Sequence, residues 1–426
     1  AVPVALNAGT AAELPCGYWL IVARDDAIAQ GEAGTAPIMA LVGGNAVTVK
    51  PKAATPKVAK HVLEDNTAAW QKAADATVAD DLYWRLSATV PAGLSAYDTY
   101  AVQFVDTMSA GLDPSKVAAS MRVYVAAGAD GTFDAVSNGK DGRAGTEPAQ
   151  GWTDITAQCA TKVAADGTFT VRTGDLIAAL GGADAFAAGA RVVAVYNAPL
   201  NSACNRGIAK GNPNEVYLRY PRSPFADQSG DAGFTRTPSD DACAYTWDLA
   251  LTKRGSDGDK PLAGAVLSIA DDRGRTLAAD GTWDAEGKAT VTTGEDGRVT
   301  VSGVDSGELE VRELKAPKGY IAFEGTRSVT VKAEGLDIDQ VAAAKPKLTI
   351  TAESPLRADS ADGSTGSLEA SLINTPTGTP PSITTGGFMP STGDMAMYAA
   401  AAAAVAGAAL IVVALLVKRG GGSHKE

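Results

Sequence analysis

The sequence predicts an all-β protein, built as tandem β-sandwiches and followed by one apolar C-terminal helix. Three observations predict it. Apolar alternation with period two recurs at 82–90, 122–125, 168–171, 191–195, 216–220, 298–301 and 328–331, the pattern of half-buried strands. Asp-Gly pairs at Asp130-Gly131, Asp166-Gly167, Asp280-Gly281 and Asp296-Gly297 supply the positive φ angles of tight hairpins. The uncharged run 398–417 is about 20 residues long, enough to cross a bilayer as a helix. Elsewhere helical signal is sparse, with a turn or two at 175–180.

Residues 1–50 hold a few strands, too little to enclose a core, and lead into the segment VTVKPK at 47–52. A second domain spans 51–237, and a Pro-, Ser-, Gly- and Asp-rich loop at 221–241 leads into a third, 238–376. Residues 377–393 form a Pro/Thr/Gly linker ending in Met389, Pro390, Ser391, Thr392 and Gly393. The stretch 394–426 carries the apolar helix and a tail whose Lys418 and Arg419 favour a cytoplasmic C-terminus and a translocated N-terminal portion. A translocated protein needs a signal peptide, so a chain opening at Ala1 is expected to be a processed form or a fragment.

Composition removes several functions. A net charge of -12 argues against nucleic acid as partner. Cys16, Cys159, Cys204 and Cys243 are scattered, without the CxxC spacing of a zinc site, and in an exported protein they could pair in three ways. No spacing calls for a metal or cofactor. A surface hydrolase lacks a constellation: neither GxSxG nor HExxH occurs, and of the two histidines His424 lies in the tail, leaving His61.

Polar residues on apolar faces carry the chemistry. Side chains alternate along a strand, so Lys253 shares a face with Trp247, Leu249 and Leu251. Glu313 shares one with Leu309 and Val311, and Asn374 with Leu368, Ala370 and Leu372. An amine, a carboxyl and a carboxamide thus each point where a core belongs. The second domain repeats this with Lys60 beside Val58 and Val62, Asp106 beside Tyr100, Val102 and Phe104, and Asn214 beside Val216, Leu218 and Tyr220. Asn212 has the same parity and is a rival to Asn214.

These segments carry a resemblance. YTWDLALTK, PLAGAVLSI, GELEVRELKAPKGY and SLINT resemble the Cna-B-type domain of Gram-positive pilins, an Ig-like sandwich. TPKVAKHV, YDTYAVQFVDTMSAGL, VVAVYNAPLN and GNPNEVYLRY resemble the isopeptide-forming central domain of fimbrial backbone subunits. The likeness implies Lys253–Asn374 and Lys60–Asn214 isopeptide bonds (or Asn212 in the latter), with Glu313 and Asp106 assisting. This is self-modification by a protein that is not an enzyme in the turnover sense. Met389–Pro390–Ser391–Thr392–Gly393, apolar run and positive tail together resemble the LPxTG sorting signal, with Met for Leu, which implies sortase cleavage after Thr392 and only transient membrane retention. VTVKPK resembles the pilin motif, with Lys50 and Ala53 in place of its tyrosine and asparagine, and implies Lys52 as the intersubunit amine. GYWLIV and GTAPIMALVGG resemble the end of a pilin N-terminal domain, of which residues 1–50 are then the remnant. The whole implies a secreted pilus subunit at the cell wall, partnered by sortase, other pilin subunits and peptidoglycan. The alternative is an unpolymerised wall-anchored adhesin binding a host ligand.

Overall fold

Strands with one apolar face must bury it against another sheet, and this chain does so twice. A computed structural model describes residues 3–378, apart from 8, 25–27, 35–36, 50–54, 135, 139–143 and 344. The pentapeptide, the apolar run at 398–417, Lys50 and Lys52 lie outside the described residues. Among the described residues no helix is long and apolar enough to cross a membrane.

Near the N-terminus Gly17–Ile21 pairs antiparallel with Ile38–Val42, setting Tyr18 opposite Leu41 and Leu20 opposite Met39. These four side chains stand exposed on one face of the hairpin. Among the described residues, 47–49 lie in no strand.

The second domain packs a six-stranded sheet on a seven-stranded one. In the first, Arg122–Ala127, Ala190–Asn197, Tyr83–Val90 and Lys57–Glu64 lie side by side, antiparallel. In the second, Thr168–Arg172, Gln103–Met108, Asn212–Pro221 and Asp240–Tyr245 follow one another. The sequence assigns residues 238–245 to the third domain. The structure instead pairs Asp240–Tyr245 with Asn212–Pro221 and, in parallel, with Ala73–Asp75. Trp84, Leu86, Phe104, Phe169, Val192 and Leu218 fill the space between the sheets. Burying each such side chain contributes about 1.5–3 kcal/mol. A short helix, Leu176–Ala179, starts where expected, with the Asp175 side chain accepting from the Ile177 N–H.

The third domain opposes a five-stranded and a seven-stranded sheet. Trp247–Gly255 runs parallel to Ser367–Pro376, so the first and last strands are neighbours, with Lys253 beside Leu372 and Gly255 beside Asn374. Gly307–Lys315 lies in the other sheet, between Val266–Ala270 and Thr326–Glu334. Gly297 has φ +73°, and its carbonyl accepts the Lys253 N–H at 2.8 Å. A Cβ there would meet the Lys253 carbonyl at 2.9 Å, so glycine is required where this hairpin turn supports the lysine strand.

The two sandwiches share a polar seam. The Trp247 indole N–H donates to Asp75 at 2.7 Å, and Ser306 donates to the same oxygen through its N–H (2.7 Å) and hydroxyl (2.6 Å). Arg275 donates twice to Asp80, at 2.6 and 2.8 Å. Glu64, buried beside Asp75, is pushed by burial up to about 8.

Candidate functional site

In the third domain the three polar residues singled out by parity meet in one place. Lys253 and Asn374 project from the neighbouring first and last strands, and Glu313 comes from the opposing sheet. All three are buried among Leu249, Leu251, Val311 and Leu372. The Lys253 amine lies 3.5 Å from Glu313 Oε1 and donates to the Leu372 carbonyl at 3.2 Å. Asn374 Nδ2 donates to both Glu313 oxygens, at 2.8 and 3.0 Å, and the Phe323 N–H donates to Oε2 at 3.1 Å. Asn374 Oδ1 is buried and has no hydrogen-bond partner among the described residues. Burial pushes the Lys253 amine down to about 8, against the opposing pull of Glu313.

The second domain assembles the same groups on a different frame. Asp106 and Asn214 stand on adjacent strands of one sheet, where Asp106 faces Val216 and Asn214 faces Met108. Lys60 reaches them from the other sheet, so the cluster spans the sandwich. Lys60, Asp106 and Asn214 are each 0% exposed. The amine is ion-paired with Asp106 Oδ2 and flanked by the rings of Trp84 and Tyr196, at 5.5 and 5.4 Å from their centroids. Burial drives Lys60 down to about 8 and Asp106 up to about 6; each charge partly offsets the shift of the other.

Tyr196 was not singled out by sequence reasoning, yet its hydroxyl joins all three groups. It accepts from Lys60 Nζ at 2.8 Å and from Asn214 Nδ2 at 2.8 Å, and donates to Asp106 Oδ2 at 3.2 Å. A signal existed: Tyr196 shares the inward parity of Val192 and Ala194. Asn214 Oδ1, like its third-domain counterpart, is buried without a partner among the described residues.

Asn212 sits apart from this cluster. Its Oδ1 accepts the Asn205 N–H at 2.8 Å, and its Nδ2 donates to the carbonyls of Asn205 (3.0 Å) and Ala244 (3.2 Å). Its amide is fully engaged in holding a loop. His61 faces Arg85 across its strand pair, and burial with the Arg85 and Lys72 charges pushes it down to about 4, unsuited to a general base. All four cysteines are free thiols; burial pushes Cys243 up to about 11, the state of an inert thiol. Among the described residues no group of three or more His, Cys, Asp or Glu is disposed to hold a metal.

Residues 248–345 match the SpaA prealbumin-like fold domain. A curated relative, the trypsin-resistant surface T6 protein of Streptococcus pyogenes serotype M6, is 30% identical over 145 residues, 32% of this chain. That match spans about a quarter of the relative's length (24%). The domain match falls within the third domain, whose motifs carry the Cna-B-type resemblance. Solved structures with a similar course include the pilus 2b backbone protein of group B streptococcus, at 18% identity and TM-score 0.47, covering 74% of this chain and 97% of that one. The T6 backbone pilin of serotype M6 Streptococcus pyogenes gives 19% and 0.47, covering 82% and 78%. The full-length major pilin SpaD from Corynebacterium diphtheriae gives 16% and 0.48, covering 82% and 77%.

Proposed function

We propose that this chain is a structural subunit of a covalently polymerised, cell-wall-anchored pilus, stiffened by Lys60–Asn214 and Lys253–Asn374 isopeptide bonds. The observation that supports the reading best is the pair of buried clusters, each bringing an amine, a carboxyl and a carboxamide together inside an apolar core. A solvated charge is ordinarily kept out of such places, because desolvation costs several kcal/mol per ion. A reaction that removes the charge explains why lysine and acid are tolerated there.

The chemistry follows from burial. Lowering an amine from 10.5 to about 8 raises its neutral, nucleophilic fraction at pH 7 by roughly two orders of magnitude. Lysine Nζ attacks the asparagine Cγ, the Cγ–Nδ2 bond breaks, and one proton moves from Nζ to the leaving nitrogen, which departs as ammonia. Glu313, within reach of both the amine and the amide nitrogen, carries the proton in the third domain, and Asp106 assists in the second by holding the amine. The reaction runs once.

The bonds have a mechanical use. Load entering the third domain at Trp247 would cross from Lys253 to Asn374 and leave within a few residues, bypassing the segment of about 120 residues between them. The Lys60–Asn214 bond instead ties one sheet of the second domain to the other.

Polymerisation is assigned to Thr392 and Lys52. Cleavage after Thr392 leaves an acyl group that the Lys52 amine of a second copy resolves, and such a head-to-tail contact extends as an open filament. The apolar run would hold the chain at the membrane until sortase acts, and peptidoglycan would receive the finished fibre. The test is mass. The intact chain should weigh less than its sequence by two ammonia equivalents, and a mass equal to the plain sequence would sink the cross-linking reading.

A further inference from the structure

The two clusters differ in how the acid reaches the amide. In the third domain Glu313 does so directly, lying 3.5 Å from the amine and 2.8 Å from Asn374 Nδ2. In the second domain the acid is aspartate, one methylene shorter. Asp106 contacts Lys60, but among the hydrogen bonds of the described residues none joins Asp106 to Asn214; the Tyr196 hydroxyl stands between them. We infer that Tyr196 is a catalytic residue of the second-domain cross-link, its hydroxyl relaying the proton from the Lys60 amine to the departing Asn214 nitrogen.

The inference rests on the isopeptide reading above and adds to it a group that the reading does not require. A hydroxyl has one donor and two acceptor positions. Tyr196 spends all three on Lys60, Asn214 and Asp106, and the residue is 0% exposed. Its ring is fixed edge-on against Phe169, with centroids 4.8 Å apart and planes at 73°. As Nζ bonds to Cγ, the amine gives one proton to the Tyr196 oxygen. The hydroxyl then turns from Asp106 Oδ2 toward Nδ2, 2.8 Å away, and its own proton passes there as the Cγ–Nδ2 bond breaks. Ammonia leaves, the phenol is restored, and no outside acid or oxidant is consumed. Asp106 holds the hydroxyl and the amine in line.

The test uses the full chain, with the third-domain bond as an internal control. Peptides spanning Lys60–Asn214 and Lys253–Asn374 are weighed over a time course after synthesis, in H2O and in D2O. Tyr196→Phe keeps the ring and removes the relay. The second-domain bond should then form at least about 100-fold more slowly, the scale of a lost general acid–base group, while the third-domain bond keeps its rate. Formation at the native rate overturns the inference. So does a slowed reaction that keeps the native D2O effect, since the hydroxyl would then only orient Asn214. A native chain with no second-domain bond overturns the isopeptide reading itself and the relay with it. Should Tyr196→Phe not unfold cooperatively as Asp106→Ala does, a ring-fluorinated tyrosine at position 196 replaces it. The rate must then follow the acidity of the phenol, and a rate indifferent to fluorination refutes the relay.

Discussion

Replacing Glu313 by alanine tests the third-domain cluster most directly, because Glu313 touches both reacting groups and forms no part of the bond they would make. The Glu313→Ala chain should retain one ammonia equivalent that the parent loses. Its stability should fall for two separable reasons. Without the bond a loop of about 120 residues is no longer closed, which chain entropy puts at about 5 kcal/mol, with 2–4 kcal/mol typical of measured cross-links. The substitution also strips Asn374 Nδ2 and the Phe323 N–H of their acceptor, about 1–3 kcal/mol for each buried group left unpaired. For a domain of about 130 residues, roughly 5 kcal/mol corresponds to a fall of about 20 °C in Tm. Calorimetry of Glu313→Ala beside Lys253→Met separates the two reasons, since Lys253→Met removes the bond but leaves Glu313 to hold its partners. Both should melt well below the parent, with Glu313→Ala the lower. If Glu313→Ala still loses both ammonia equivalents, or melts within a few degrees of the parent, Glu313 does not assist a bond here.

The rival asparagines give opposite outcomes: Asn214→Ala should retain the second ammonia equivalent. Asn212→Ala should still cross-link yet lose about 1–3 kcal/mol, as its three hydrogen bonds with Asn205 and Ala244 disappear. In the Asn214→Ala chain Lys60 and Asp106 stay free to titrate, so its denaturant midpoint should depend on pH. Asp106 is raised from 3.8 to about 6, so the folded state binds the extra proton and stability falls as pH rises through that window. Lys60 is lowered from 10.5 to about 8, so the unfolded state binds more protons between those values and stability rises again. A minimum near pH 6–8 is expected, with arms on the order of 3 kcal/mol, and a midpoint that peaks there would contradict the assignment. For assembly, Lys52→Ala should abolish covalent ladders in cell-wall extracts while monomers remain attached, and Thr392→Ala should remove both. Ladders unchanged in Lys52→Ala, in Lys50→Ala and in the double variant would favour the unpolymerised adhesin.

Much of this was legible in the sequence because period-two alternation is a local property. The strands 82–90, 168–171 and 298–301 emerged within a few residues of their bounds, and the Asp-Gly pairs mark turns where Gly167 and Gly297 do take positive φ. Alternation also located the anomaly, since Lys253, Glu313 and Asn374 could be seen facing inward without knowing what they faced. What alternation cannot report is the partner. Asn212 and Asn214 share a parity, and only the positions of Asn205, Ala244 and Tyr196 separate the amide engaged in a loop from the amide beside the amine. Asp240–Tyr245 joins the second domain through pairing with Ala73–Asp75, more than 160 residues back along the chain, a contact no local pattern encodes. Tyr196 was passed over because a buried tyrosine in an apolar strand reads as core, and its hydroxyl acquires meaning only when two sheets close around it. The sequence by itself determined which side chains would be buried; the tertiary structure decided which of them would touch, because burial is set by the face of one strand and contact by the registers of several.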